Sequence, residues 1–353
     1  MSSTIIATPS ATEAVCITVT PDQNGYVPLD DCRNLWSYYP SFGAAILFSI
    51  LFGMTMVIHV VQARIYRKRF CWVIIMAGIW ETTGFILRTL STRNQINMGL
   101  YIPEELFILL APIWVNAFVY MTLGRMVYYF LPERKIWGIS ASKLAKYFVC
   151  IDILSFAVQA VGGSMASGGT QESAASVMAG IHVYMAGIGI QEFFILVFLG
   201  LAITFHRRIL FLEKSGALVT VHLNPKWRPL LYTLYVTLGF ITIRIIFRLV
   251  QYSAGVLSNI PTHEVYFYCF EALPMFLALL VLNITHPGRY LIGPESEYPR
   301  KSRQQKREEA REKKAAKQAR KEAKRAPKLF QGRGNLGQSG EFLELGEYNK
   351  PSE

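Results

Sequence analysis

The sequence predicts an all-α, polytopic membrane protein with seven transmembrane helices, its N-terminus outside and its C-terminus inside. Three observations predict it. The 353-residue chain is 52% hydrophobic and only 17% charged, with a mean hydropathy of +0.28. Long charge-poor runs recur through residues 39–289, each long enough to cross a hydrocarbon core about 30 Å thick. Lys and Arg fall in alternate loops, the pattern that marks cytoplasmic loops. The formal net charge of +12 is therefore read against the membrane, and no nucleic-acid partner is expected.

Residues 1–38 read as an extracytoplasmic segment, rich in Ser and Thr and nearly uncharged. They lack the basic start and sustained apolar core of a signal peptide. Cys16 and Cys32 lie here; in an exported segment they form a disulfide or stay two free thiols, and both readings stand. The first span is about 40–63, opened by Pro40 and followed at once by Arg64, Arg67, Lys68 and Arg69. The second, about 70–90, sets Glu81, Gly84, Phe85 and Arg88 on one helical face. The third, about 105–130, contains Pro112, where a kink is expected, then Asn116 and Arg125. Arg134, Lys135, Lys143 and Lys146 follow.

The fourth span, about 145–163, aligns Asp152, Ser155 and Gln159 and ends at Gly162-Gly163; the loop beyond has Glu172 and no cation. The fifth, about 177–205, is interrupted by His182, Gly187, Gly189, Gln191 and Glu192, and Arg207, Arg208, Lys214, Lys226 and Arg228 follow it. The sixth and seventh spans are about 229–252 and 264–285, joined by a link without Lys or Arg. Gly84, Gly162, Gly163, Gly187 and Gly189 are expected at close helix approaches. Pro274 predicts a bend beside Glu271. Cys71, Cys150 and Cys269 read as small buried hydrophobes. The sequon at Asn283 lies in an apolar run and is expected to be sterically shielded.

Residues 290–353 form a basic cytoplasmic tail. Glu–Lys and Glu–Arg pairs predict a helix over about 300–328, whose apolar residues are almost all Ala. It either binds anionic inner-leaflet lipids or is simply solvated. Residues 329–353 are Gly-rich with an acidic end and are expected to be disordered.

The chemistry gathers in the spans. Arg244, Arg248 and Gln251 fall at i, i+4, i+7 of the sixth, and Glu264, Tyr268 and Glu271 repeat that spacing in the seventh. An arginine at the centre of an apolar helix costs about 2.5–3.5 kcal/mol on the insertion scale. Partners or water must offset that, and the facing glutamates are the obvious partners. With the predicted orientation, Arg88, Arg244, Arg248, Gln251, Glu264 and Glu271 share the outer half. Glu81, Gln191 and Glu192 sit centrally, and Asp152 centrally to inward. Glu81 and Arg88 lie about two turns apart, too far for contact without a third group. A set of interhelical ion pairs is one explanation. A hydrated pocket for a charged head group explains the number of ions better, because buried pairs stabilise poorly against apolar replacements. The candidate substrate-binding set is Glu81, Arg88, Asp152, Gln159, Gln191, Glu192, Arg244, Arg248, Gln251, Glu264, Tyr268 and Glu271.

Several segments together resemble a known family. They are ETTGFILR at 81–88, LAPIWVNAFVYMTLGR at 110–125, DILSFAVQAVGG at 152–163, GIGIQE at 187–192, RIIFRLVQY at 244–252 and HEVYFY at 263–268, followed by Glu271, Pro274 and His286-Pro287-Gly288. In order and spacing they are similar to the fungal lipid-translocating exporters, the aminocholesterol-resistance-like (RTA-like) seven-helix proteins. The family usually shows a glutamate at Gln251 and an aspartate at Glu271. The resemblance implies a plasma-membrane protein that moves or tolerates amphiphiles such as sphingoid long-chain bases, toxic sterol analogues and porphyrins.

Membrane lipids and an amphiphilic substrate are thus the expected partners. Glu81, Glu264 and Glu271 would attract a cationic head group while Arg88, Arg244 and Arg248 balance them or bind phosphate. No phosphate-binding loop signature occurs in the sequence, so pumping would need a gradient, with protonation of Glu81 or Asp152 as a candidate coupling. Two other readings stand beside this one. One is a seven-helix receptor or membrane-stress sensor, although Leu123-Gly124-Arg125 lacks the acidic residue expected before the arginine. The other is a zinc-dependent intramembrane hydrolase, for which His59, His206 and His286 lack a matching Asp/Ser set. No enzyme activity, cofactor or metal is expected.

Overall fold

The computed structural model describes residues 17–166, 173–216, 227–253, 262–293 and 296–298, and in the tail 304–305, 307–308, 311–312 and 314–319. The chain divides into two compact units, Met1–Tyr298 and Pro299–Glu353. The described tail residues are helical and exposed, as the charge pairing predicts. Cys16, Glu172, Lys226 and residues 329–353 lie outside the described residues.

The first unit is a bundle of seven helices, each long and apolar enough to cross a membrane. They are α1 (Phe42–Tyr66), α2 (Trp72–Ser91), α3 (Met98–Phe130), α4 (Ala141–Ala166), α5 (Ala174–Lys214), α6 (Arg228–Ser253) and α7. The last joins an α-helical turn, Glu264–Phe267, a π turn, Tyr268–Ala272, and an α-helix, Leu273–Ile284. Each helix packs on its neighbours in sequence, α1 also meets α7, and α3 touches α6 across the middle.

The bundle keeps its polar residues inside, among a mostly apolar core, and turns apolar side chains outward, as lipid demands. On α1 the buried residues are Ala45, Phe48, Phe52, Thr55, His59 and Gln62, a stripe advancing three or four residues at a time. The opposite face exposes Leu47, Ile50, Met54, Val57 and Val61. On α4 the buried stripe contains Asp152, Ser155 and Gln159. The same inversion corrects the expectation for the cysteines. Cys71 is buried, but Cys150 and Cys269 are exposed on outward faces, because an apolar position in a span is as well placed against lipid as against protein.

Close approach explains only some of the glycines. A Cβ at Gly162 would collide with the Tyr184 backbone, and one at Gly187 would stand 2.8 Å from Gln159 Cγ, so α4 and α5 meet at these two positions. Gly84 is likewise tight against Ile108, whereas Gly163 makes ordinary contact and Gly189 faces open space.

Two span boundaries move. The third helix starts at Met98 rather than near 105, capped by Asn97, whose side chain accepts from Gly99 N–H, and Pro103 and Pro112 both lie inside it. The fifth runs on to Lys214. Pro274, which lacks an amide proton, follows the π turn at 268–272, a local widening often found at functional positions. Asn283 is buried and donates to the Thr55 carbonyl, while Gln62 donates to its own carbonyl, so the sequon is shielded.

The two ends differ. At one end the N-terminal segment folds onto the helices: Val27 N–H donates to Gln95, Arg93 to Asn24, and Ser41 N–H to Glu264. Trp36 is buried against Tyr38 and Tyr101. Cys32 in this segment is disulfide-bonded. The other end is basic. Lys68 donates to Ser296, Arg208 pairs with Glu133, and Tyr298 donates to the Ala141 carbonyl.

Candidate functional site

The ionisable residues of the spans form separate clusters rather than one. Arg88, on α2, is completely buried and is held from three directions. Its Nη1 donates to Glu104 Oε1 at 2.7 Å, its Nη2 to Tyr38 OH at 2.7 Å and to Glu264 Oε1 at 3.4 Å, and its Nε to Tyr268 OH at 3.3 Å. Glu105 lies 3.9 Å away. Phe267 and Trp36 cover the guanidinium, their ring centres 4.0 and 4.8 Å from Cζ. One arginine thus faces three carboxylates. Burial raises the Tyr38 hydroxyl above the ordinary tyrosine range, against the opposing pull of Arg88, so it stays a neutral acceptor.

The second cluster inverts that ratio. Arg244 Nη2 and Arg248 Nη1 both donate to the same oxygen, Glu271 Oε1, at 2.5 and 2.6 Å. Arg248 also donates to Tyr184 OH at 2.8 Å, and Arg244 to the Ile108 carbonyl at 3.4 Å. Glu271 Oε2 accepts nothing from the described protein groups. Its carboxylate sits in the π turn, where the seventh helix departs from α geometry.

The remaining predicted residues are not hydrogen-bonded into either cluster, although Glu81, Gln159 and Gln191 stand beside the second. Gln159 donates to Gln191 at 3.0 Å, and Asp152 accepts from Asn116 at 3.1 Å. Glu81 is buried with its Oε1 unpartnered, and Arg244 and Glu271 are the charges it interacts with. It makes no pair with Arg88. Glu192 is partly buried and its Oε2 is unpartnered.

A vestibule of about 400 Å³ opens at the end carrying the N-terminal segment. Arg248, Gln251, Glu105 and His263 line it together with a nearly continuous aromatic wall, in which Tyr38, Tyr101, Tyr252 and Phe247 take part. Arg248 also borders a narrow gap of about 10 Å³ lined by Gln159, Gln191 and Arg244, room for about one water. The vestibule and the gap therefore meet at one guanidinium. Of the predicted set, Arg248 and Gln251 face the vestibule, Gln159, Gln191, Arg244 and Arg248 face the gap, and Glu264 and Glu271 are held by arginines.

Sequence reasoning missed Glu104, Glu105, Tyr184, Trp36 and Tyr38. Glu104 lies just before the expected start of the third span at about 105, and Glu105 lies at its edge. The acidic pair after Pro103, directly before a long apolar run, was the signal. Trp36 and Tyr38 sit in a segment read as an exported tail, where the cluster WSYYP was the available hint. Of the histidines, His59 and His286 are buried and His206 lies beside Tyr235. Among the described residues no three His, Cys, Asp or Glu side chains are grouped as metal ligands would be.

Comparison with known proteins follows this architecture. The chain is 44% identical over 311 residues to a probable lipid transporter, atnI, of Emericella nidulans, which covers 87% of this chain and 81% of that protein. It is 30% identical to protein RTA1 of Saccharomyces cerevisiae, over 73% of this chain and 86% of that one. It is 29% identical to the sphingoid long-chain base transporter RSB1 of the same yeast, over 74% and 75%. No solved structure matches. Residues 74–293, from α2 through α7, match the family described as RTA1 like protein, and the chain belongs to that family.

Proposed function

We propose that this protein translocates amphiphiles across the plasma membrane without changing them chemically, taking sphingoid-base-like molecules whose cationic head enters the vestibule. The observation that carries the reading is the vestibule itself, aromatic-walled, with Glu105 and Arg248 on its surface and a polar gap beneath Arg248. Aromatic faces with a nearby carboxylate suit an ammonium group. Ile102 and Leu106, also on the wall, are exposed on the outside of α3, so an alkyl chain can remain in lipid while its head is held. The basic end supports an arrangement with the N-terminus outside and the C-terminus inside. The names of the relatives atnI and RSB1 support a lipid substrate.

In this reading the glutamates have different roles. Glu264 and Glu271 fix the arginines, and Glu105 is the carboxylate that meets the substrate. Reconstitution of the full chain in vesicles, with labelled sphingoid base, phospholipid and sterol, tests the proposal. The base is expected to cross faster than in protein-free vesicles, and faster than the sterol. Absence of protein-dependent flux for all three, together with ligand-dependent signalling in cells, would replace the translocator by a sensor.

A further inference from the structure

We propose that the groove between α1 and α2 at the basic end is a binding site for the phosphate-bearing head group of an anionic phospholipid. This site is separate from the vestibule and does not depend on the translocator reading. The groove encloses about 700 Å³. Arg64, Arg67, Lys68 and Arg69 rim it, and Val60 and Trp72 form part of its apolar wall.

Three features separate it from a merely solvated basic loop. First, among the described residues Arg64, Arg67 and Arg69 have no carboxylate at ion-pair distance, although Arg88, Arg244 and Arg248 all do. Second, the rim is built. Arg67 ends α1 in the left-handed region, φ 51°, which favours glycine. Lys68 donates to Ser296 at 2.7 Å, and burial lowers its ammonium below the ordinary lysine range, a desolvation cost that a neighbouring anion would offset. Third, cations and apolar surface meet at one level. Trp72 is 53% exposed beside the arginines, and Val61 and Ile65 are exposed on the same stretch of α1. That is the arrangement of a membrane interface, with an indole at head-group depth and alkyl surface below it. A phosphate would accept from the guanidinium forks while its acyl chains lie along α1. A soluble anion would leave the apolar wall unused.

The test is native mass spectrometry of the full-length protein in detergent, titrated with phosphatidylserine and separately with phosphatidylcholine. The protein is expected to retain phosphatidylserine preferentially. The triple variant R64Q/R67Q/R69Q should weaken that retention on the order of 100-fold, as loss of three interfacial cations implies. The triple lysine variant should keep most of it, which separates charge from misfolding. A full-length variant with the tail's Lys and Arg between 301 and 325 changed to Gln should bind as the parent does. Unchanged phosphatidylserine binding in R64Q/R67Q/R69Q, equal retention of phosphatidylcholine, or loss of binding in the tail variant alone would each overturn the proposal.

Discussion

Two buried clusters of opposite composition lie at the same end of the bundle. Around Arg88, three carboxylates face one guanidinium; around Glu271, two guanidiniums face one carboxylate. The difference matters because the two kinds of charge have different exits. A carboxylate left without a partner can take up a proton and become neutral, whereas a guanidinium stays charged at any accessible pH. The Glu271 cluster is therefore the more rigid constraint. The Arg88 cluster has slack, and its least buried member, Glu105, faces the vestibule.

The largest expected effect comes from removing the single acid. Glu271→Leu leaves Arg244 and Arg248 buried without the carboxylate that bonds them both, with only Glu81 still near Arg244, and should lower stability by about 3–5 kcal/mol. Thermal unfolding of the detergent-solubilised protein at pH 8 measures this. Glu271→Gln keeps an acceptor and should lose less. A Glu271→Leu protein as stable as the parent would mean that the two arginines find water or lipid phosphate instead.

Arg88→Met should cost about 3 kcal/mol at pH 8. Here the comparison predicts a pH dependence with a definite sign. The stranded carboxylates favour protonation, the folded state then binds more protons than the unfolded chain, and stability recovers as pH falls. The deficit should shrink by about 1 kcal/mol at pH 6. The double variant Arg88→Met/Glu104→Met should recover part of the loss at both pH values. If the Arg88→Met deficit proves insensitive to pH, the supposed slack is absent.

How much of this was legible in the sequence follows from the physics of each element. The spans could be read because lipid imposes an apolar length on every one of them. The pairing of Arg244 and Arg248 with Glu271 could be expected because two polar stripes of equal spacing lie on adjacent helices. The partner of Arg88 could not be found the same way, since Glu104 is contributed by a helix that starts seven residues earlier than the apolar run suggests. Tyr38 and Trp36 come from the N-terminal segment, whose local sequence says nothing about where it folds back. The division of one expected pocket into two clusters and a vestibule depends on helix rotation, which no spacing within a single span determines.

Glu105 offers a finer distinction. Its side chain is 40% exposed and its distance from Arg88 is near the limit of an ion pair, so Glu105→Gln should change stability by less than about 0.5 kcal/mol. Vesicle flux of a sphingoid base should nevertheless fall several-fold, with flux of a neutral sterol unaffected. Equal slowing of both would point to a general loss of vestibule shape rather than to recognition of charge.

The smallest effect provides the reference for a pair within reach of water. Asp31 accepts from Arg33 and from Val19 N–H, and these contacts, that from the Arg33 side chain first, hold its carboxyl well below the usual aspartate range. A lowered folded value means that the contribution is complete above the ordinary aspartate value and is lost only as pH falls through the folded one. Hydrogen exchange at the Val19 amide should therefore show the same protection at pH 8 and pH 6 after correction for intrinsic rates. Asp31→Asn should reduce that protection at both, while leaving the unfolding temperature of the bundle unchanged. If the substitution also lowers the unfolding temperature, the N-terminal segment is coupled to Arg88 through Trp36 and Tyr38 more tightly than the solvent-exposed Arg33 suggests, and the segment becomes part of the site's support rather than its cover.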